Sequence, residues 1–175
     1  MEAQEKQQKR IGGTMIVLAW LCALGLLSLL FGNLLDWQHN PNKAVISRNL
    51  ENGVAEVQLA QNRQGHYVAN GAINGHEVIF LLDTGATAVS VPQGLARRIG
   101  LEEGPVMQAQ TANGTINTYR TRLDSVELGA IKLGNISAGI NPYMRGNEVL
   151  LGMSFLRHLE LIQRDGQLTL RQLSQ

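Results

Sequence analysis

Cysteine is almost absent from this chain: Cys22 is the single one in 175 residues. One thiol excludes an intramolecular disulfide framework and a cysteine zinc site. Aromatic residues make up only 5%, and 15 Lys and Arg stand against 14 Asp and Glu for a net charge of +1. A nucleic-acid binder normally shows a basic stripe or a strongly basic domain, so no nucleic-acid partner is expected. The four histidines, His39, His66, His76 and His158, lack ligand spacing. His76-Glu77 begins a zincin-like pattern, but Phe80 occupies the position where the second histidine has to stand, so no metal or other cofactor is expected. Internal repeats and low-complexity tracts are also lacking.

Charge is missing locally as well. Between Ile11 and Leu35 there is no Asp, Glu, Lys or Arg. As a helix rising about 1.5 Å per residue, this run would extend roughly 37 Å, enough to cross a hydrocarbon core with some tilt. The expected organisation is a head over residues 1–10, a transmembrane helix over 11–35, a tether over 36–52 and a soluble domain over 53–175. A cleaved secretory signal is the competing reading, although its apolar stretch is usually shorter and no small-x-small cleavage site follows Leu30. Lys6, Lys9 and Arg10 precede the run closely, whereas Asp36 follows it and the next bases are Lys43 and Arg48. Flanking positive charge keeps that side in the cytoplasm. In a Gram-negative bacterium the chain would be a single-pass inner-membrane protein with its soluble domain in the periplasm, and Trp37 stands where an interfacial aromatic belongs.

The soluble part, about 120 residues, is large enough for one modest core. Its punctuation is glycine, in the dipeptides Asn52-Gly53, Asn70-Gly71, Asn74-Gly75, Asn113-Gly114, Gly134-Asn135 and Asp165-Gly166. Asn-Gly and Asp-Gly suit hairpin turns because both central positions require positive φ. Between them lie short runs of β character: 54–60, 66–73, 77–82, 88–91, 117–128, 136–140 and 167–173. Many short strands spaced by turn residues indicate an all-β sandwich or barrel. Two stretches read as helical: the one after Pro92, with Leu95, Ala96 and Ile99 on one face, and a short one from Met153.

The segment Val78 to Pro92, VIFLLDTGATAVSVP, carries the most chemistry. A five-residue apolar run reads as a fully buried strand, yet it ends in Asp83, followed by Thr84 and Gly85. A carboxylate there needs hydrogen bonds or a partner charge to offset its desolvation. It is either a turn cap held by the amides of Gly85 and Ala86 or a group kept for chemistry.

Leu81-Leu82-Asp83-Thr84-Gly85-Ala86 resembles the catalytic signature of the retropepsin-like aspartic proteases, and specifically of their membrane-anchored bacterial members. Thr111-Ala112-Asn113-Gly114-Thr115 falls where that family places its flap hairpin. Val149-Leu150-Leu151-Gly152 is similar to the hydrophobic-hydrophobic-glycine element that packs beside the catalytic loop and leads into a short helix, here Met153 to Leu159. The resemblance implies an acid-protease barrel with one or two short helices and a polypeptide substrate. It also implies catalysis by two carboxylates sharing one proton. This chain has a single Asp-Thr-Gly, so the second carboxylate would be Asp83 of another copy, in a homodimer with its site on the two-fold axis. By the same resemblance, Thr84 hydrogen-bonds across the dimer, Gly85 leaves the carboxylate approachable, and Ala86, Thr111, Ala112, Asn113, Gly114 and Gly152 border the substrate. The carboxy-terminal strand around Gln167 to Leu173 would contribute to the dimer interface. Three functions follow from these residues: an aspartic endopeptidase, a catalytically silent protease-like module that binds peptides or dimerises, or a β domain in which Asp83 only caps a turn.

Overall fold

The structure, a computed structural model, describes residues 2–50, 53–111 and 114–172. Contacts divide it into two units, 1–38 and 39–175.

The first unit is one helix. Helix α1 covers Glu2–His39, beyond the 11–35 that apolarity alone marks out. Its stretch Met15–His39 has a mean hydropathy of 2.4 and is long and apolar enough to cross a membrane. The polar residues ahead of Ile11 extend the helix because they are good helix formers, with Glu, Gln and Lys in the run EAQEKQQK.

The second unit is mostly β. Its strands are β1 (Ile46–Asn49), β2 (Ala55–Ala60), β3 (Val68–Ile73), β4 (His76–Leu82), β5 (Val89–Pro92), β6 (Val106–Thr111), β7 (Gly114–Leu128), β8 (Ile131–Asn141), β9 (Glu148–Leu151), β10 (Glu160–Arg164) and β11 (Gln167–Gln172). Two short helices, α2 (Gln93–Arg98) and α3 (Met153–Leu156), follow β5 and β9. Seven strands form one sheet in the order β3-β4-β9-β5-β8-β7-β6. Pairing of Ala72 with Glu127 and Ile73 with Val126 joins β3 to β7 and closes this sheet on itself. The remaining four strands form a second sheet, β1-β2-β11-β10. The all-β barrel expected from the alternating strands is what the chain adopts, and Phe80, Val91, Leu123, Ile140, Leu151, Phe155 and Leu170 meet in one core.

Several turn signals act differently from what their composition suggests. Asn74-Gly75 and Asp165-Gly166 are true two-residue turns, with φ of 50° and 79°, and of 50° and 73°, joining β3 to β4 and β10 to β11. Asn70-Gly71 lies inside β3 instead. A Cβ at Gly71 would stand 2.4 Å from the Glu127 carbonyl oxygen and 2.5 Å from the Phe80 ring. The glycine therefore serves the close approach of β7 and an aromatic side chain. Gly134-Asn135 likewise sits within β8: Asn135 keeps a positive φ of 58°, and pairing with β7 continues on either side of it, Gly134 with Ser125 and Ile136 with Leu123.

Of the segment 36–52, expected as a tether, residues 36–39 continue α1, and the described residues 40–50 are held against the β unit. Asn42 is buried and uses its whole amide: Nδ2 donates to the carbonyl oxygens of Ala60 (2.9 Å) and Val68 (2.7 Å), and Oδ1 accepts the Ala60 N–H (2.7 Å). Asn40 donates to Asn70 Oδ1 at 2.8 Å, Asn62 donates to the His39 carbonyl at 3.0 Å, and β1 then pairs with β2. Side-chain amides can satisfy main-chain groups without strand periodicity, which is why polarity alone suggests a linker here. At the other end, the short helix expected over Met153–Leu159 is only Met153–Leu156, and Glu160–Arg164 continues as a strand.

Candidate active site

The position of Asp83 is set by two neighbouring strands. Leu81 and Leu82 of β4 pair in parallel with Leu150 and Leu151 of β9, so both strands end side by side, one in Asp83-Thr84-Gly85 and the other in Gly152. Expected as fully buried, β4 buries Val78 and Phe80 on one face, with Leu82 half-buried at the end of that face, but leaves Ile79 and Leu81 only half-buried on the other. Its alternation is that of a sheet with one face in the core.

The loop after β4 is bonded on both sides of Gly152. Asp83 donates its N–H to the Leu151 carbonyl at 3.2 Å, and Met153 donates its N–H to the Ala86 carbonyl at 2.8 Å. A Cβ at Gly152 would lie 2.4 Å from the Ala88 oxygen and 2.6 Å from the Ala86 oxygen. The φ of −90° and ψ of −172° at Gly152 are open to any residue. Glycine is demanded there by the nearness of the loop, not by its backbone angles. Ser154, buried in α3, accepts the Val89 N–H at 2.9 Å and fixes the far end of the loop.

Within the loop, Asp83 Oδ1 accepts the Gly85 N–H at 2.8 Å. Of the two amides expected on the carboxylate, that of Ala86 goes instead to the Asp83 main-chain carbonyl at 3.2 Å. Oδ2 receives no hydrogen bond from the described residues. The Asp83 side chain is half-buried, while Thr84 and Gly85 are exposed. The Thr84 hydroxyl has no hydrogen-bond partner among the described residues. A carboxylate with one oxygen fixed by an amide and the other open is oriented without being used up, which is the condition for acting on a water or a neighbouring acid.

Beside the loop lies a cavity of about 240 Å³. Ala86, Ala88 and Ser90 form one wall, and Met107, Ala109 and Ile116 of the β6–β7 hairpin form the other. None of its lining residues is charged. The hairpin pairs in register from Val106 with Tyr119 to Thr111 with Gly114. Thr111 and Gly114 therefore stand at its end, whereas Ala112 and Asn113 lie outside the described residues. Of the expected substrate-bordering positions, the structure brings Ala86 to the cavity and sets Gly152 beneath the loop. The cavity residues of β6 went unmarked in the sequence because Val106–Thr111 has little apolar alternation, and Ser154 is one serine among many. The partial pattern Met107, Ala109 on alternate positions is the one signal that could have found the wall.

Comparison with known proteins places this geometry. A model of the gag-polyprotein putative aspartyl protease family matches residues 69–158, from β3 through α3, the span that holds the Asp83 loop, the hairpin and Gly152. The chain belongs to this retropepsin-like aspartic protease family. An uncharacterized protein in the cobV 5′ region of Sinorhizobium sp. is 33% identical over 145 residues, 81% of this chain and 62% of that relative. The uncharacterized protein RP867 of Rickettsia prowazekii is 26% identical, covering 66% of this chain and 50% of its own length. The protease-family chain thus spans under two thirds of these curated relatives. Among solved structures, a retropepsin-like aspartic protease from Rickettsia conorii superposes with a TM-score of 0.54 at 25% identity, over 73% of this chain and 94% of that one. The fold and family inferred from Leu81 to Ala86 are those the comparisons give.

Proposed function

We propose that the chain is a membrane-tethered aspartic endopeptidase whose active unit is a homodimer, with Asp83 of each copy supplying half of a carboxylate dyad. The observation that carries this reading is the state of Asp83: Oδ1 is fixed by the Gly85 amide while Oδ2 is open among the described residues, at the start of a loop whose Ala86, Ala88 and Ser90 border an uncharged cavity bounded by a β-hairpin. Two such carboxylates a few ångströms apart cannot both ionise cheaply, so the pair holds one proton and titrates as a unit. The ionised member draws a proton from a water, which attacks the scissile carbonyl, and the protonated member gives its proton to the carbonyl oxygen. The hairpin then covers the substrate and excludes bulk water. The Thr84 hydroxyl, unpartnered among the described residues, is available for a bond to the second copy.

The span Met15–His39 would hold both subunits in one bilayer, and two-dimensional confinement raises their effective concentration and favours a weak dimer. The cations Lys6, Lys9 and Arg10 favour a cytoplasmic head and a periplasmic protease domain. The test is Asp83→Asn in the full chain in detergent, assayed on a diverse peptide mixture from acidic to neutral pH. Cleavage should fall to background while the melting temperature and dimer content stay unchanged. A variant that retains wild-type cleavage refutes the assignment, and a wild-type chain that binds peptides without turnover at any pH establishes the silent peptide-binding module instead.

A further inference from the structure

A second cavity, of about 750 Å³, lies outside the site described above. Its floor is the part of β7 where Arg120, Arg122 and Asp124 stand on alternate positions, with Ser137 of β8 paired against Arg122. Its wall is the segment 100–105 that follows α2. Wall and floor are fastened together: Gly104 donates its N–H to the Arg120 carbonyl at 2.8 Å, and Arg120 donates its own to the Pro105 carbonyl at 2.9 Å. A Cβ at Gly104 would stand 2.6 Å from the Arg120 oxygen, so a residue without a side chain lets the wall lie this close. Main-chain contacts thus shape the groove, and its lining is charged where that of the cavity beside Asp83 is not.

Most of those charges have no partner in the fold. Glu103 accepts a hydrogen bond from Gln93 at 2.8 Å and lies 3.7 Å from Arg97. The side chains of Glu102, Arg120, Arg122 and Asp124 make no hydrogen bond or ion pair among the described residues. Farther along the same strand Glu127 is paired, with Lys132 at 2.7 Å, so the open charges are confined to the groove.

Their spacing selects an occupant. Alternate residues of a strand share a face and repeat at about 6.6 Å, and an extended polypeptide laid along β7 carries its side chains at that same repeat. Two carboxylates on alternate positions would meet Arg120 and Arg122, whose planar guanidinium groups take a carboxylate through two parallel hydrogen bonds. A base two residues further would meet Asp124. Glu102, on the wall beside Arg120, and Asp124, beyond Arg122, repel a uniformly acidic stretch, and such repulsion is how a site rejects the wrong partner. The groove is also continuous with the cleavage site, because Met107 of β6 borders both cavities. Strand β6 is the last of its sheet among the described residues, and Val106 on it is 61% exposed. One polypeptide can therefore cross β6 and lie in both.

We propose that this groove docks a segment of the polypeptide substrate remote from the scissile bond, with Asp or Glu at two alternate positions and Lys or Arg two residues further, held by Arg120, Arg122 and Asp124. The proposal rests on the endopeptidase reading and adds a substrate class to it.

The experiment has two arms, both with the full chain in detergent. In the first, Asp83→Asn is titrated by fluorescence anisotropy with a labelled peptide containing Asp-x-Asp-x-Lys. Controls are a peptide of the same composition with its two acids adjacent, and inorganic polyphosphate. The patterned peptide should bind, more weakly as salt rises, and Arg120→Ala with Arg122→Ala should lower its affinity tenfold or more. Arg120→Glu with Arg122→Glu should instead gain affinity for a Lys-x-Lys-x-Lys peptide, a gain that misfolding cannot produce. No binding of the patterned peptide, or equal binding of either control, overturns the proposal. In the second arm, the wild-type chain is given peptides carrying the segment at successive distances from the cleaved bond. At the best distance kcat/KM should rise at least tenfold through KM, the mark of binding shared by substrate and transition state. The double alanine variant should lose that rise and cleave peptides lacking the segment as the wild type does. An active chain with no such preference overturns the docking site and leaves the endopeptidase standing. A chain that binds the segment through the two arginines yet cleaves nothing keeps the groove and overturns the endopeptidase reading.

Discussion

Replacing Gly152 by alanine adds one methyl group to a position whose backbone angles any residue accepts, so its effect is a purely steric measure of how tightly the Asp83 loop is held. The new Cβ would meet main-chain oxygens of Ala88 at 2.4 Å and Ala86 at 2.6 Å. Reaching even 3.0 Å requires a shift of about 0.6 Å in backbone that cannot rotate away. The Ala86 oxygen accepts the Met153 N–H, and Asp83 N–H is bonded to Leu151 on the other side, so the loop cannot withdraw without stretching both bonds. Overpacking costs about 1 to 3 kcal/mol, and each weakened hydrogen bond adds up to about 1 kcal/mol. We expect a loss of about 3 kcal/mol, seen as a fall in melting temperature of roughly 10 °C. Activity should fall further than stability does. A displacement of the Asp83 carboxylate by several tenths of an ångström upsets a geometry in which a 1 Å error costs about a hundredfold. The assays are thermal unfolding and peptide cleavage measured well below the lowered midpoint, where the variant is still folded. Wild-type values for both would refute the argument that this glycine exists to let the loop sit on it. A stability loss with unchanged kcat/KM would confine Gly152 to the fold.

Other outcomes follow from the same geometry. Gly71→Ala should lose about 2 kcal/mol, read in urea unfolding, because its Cβ would meet the Phe80 ring and the Glu127 carbonyl; an unchanged midpoint would remove the reason given for an Asn-Gly pair inside a strand. Asn42→Ala deletes three hydrogen bonds and leaves an N–H and two carbonyls to find new partners, so a loss of about 2 to 4 kcal/mol is expected. A neutral result there would mean that the segment after His39 is a tether after all. Thr84→Val keeps the side-chain volume and removes a hydroxyl that is unpartnered among the described residues. Sedimentation should show a weaker dimer while monomer stability is unchanged, and an unaltered dimer would deny the hydroxyl a role across the axis.

The Asp-Thr-Gly segment was legible because its message is local. An apolar run, an aspartate and two small residues state a strand that ends in a tight turn, and no distant contact is needed to read it. The alternation in 54–60 and 117–128 gave strands for a similar reason: side chains on a sheet repeat every two residues, and that period is visible in the residues themselves. Where the reading departed from the fold, a distant contact had intervened. Asn70-Gly71 reads as a turn until Phe80 and β7 are set against it. Arg157 to Leu159 reads as the end of a helix, yet the chain leaves the helix at Leu156 and enters β10 at Glu160, where β11 folds back along it. Polar residues 40–42 read as linker until Asn42 is seen to use all of its amide on main-chain groups.

The same distinction separates the two halves of the functional argument. Asp83 is identified by its neighbours in sequence, but its surroundings are built by distant strands. β9 ends beside it and seats Gly152 against the loop, and Met107, Ala109 and Ile116 of the β6–β7 hairpin face that loop across the cavity. On the dimeric reading proposed above, activity depends on two separate sets of positions: those that orient the carboxylate and those that bring it a second one.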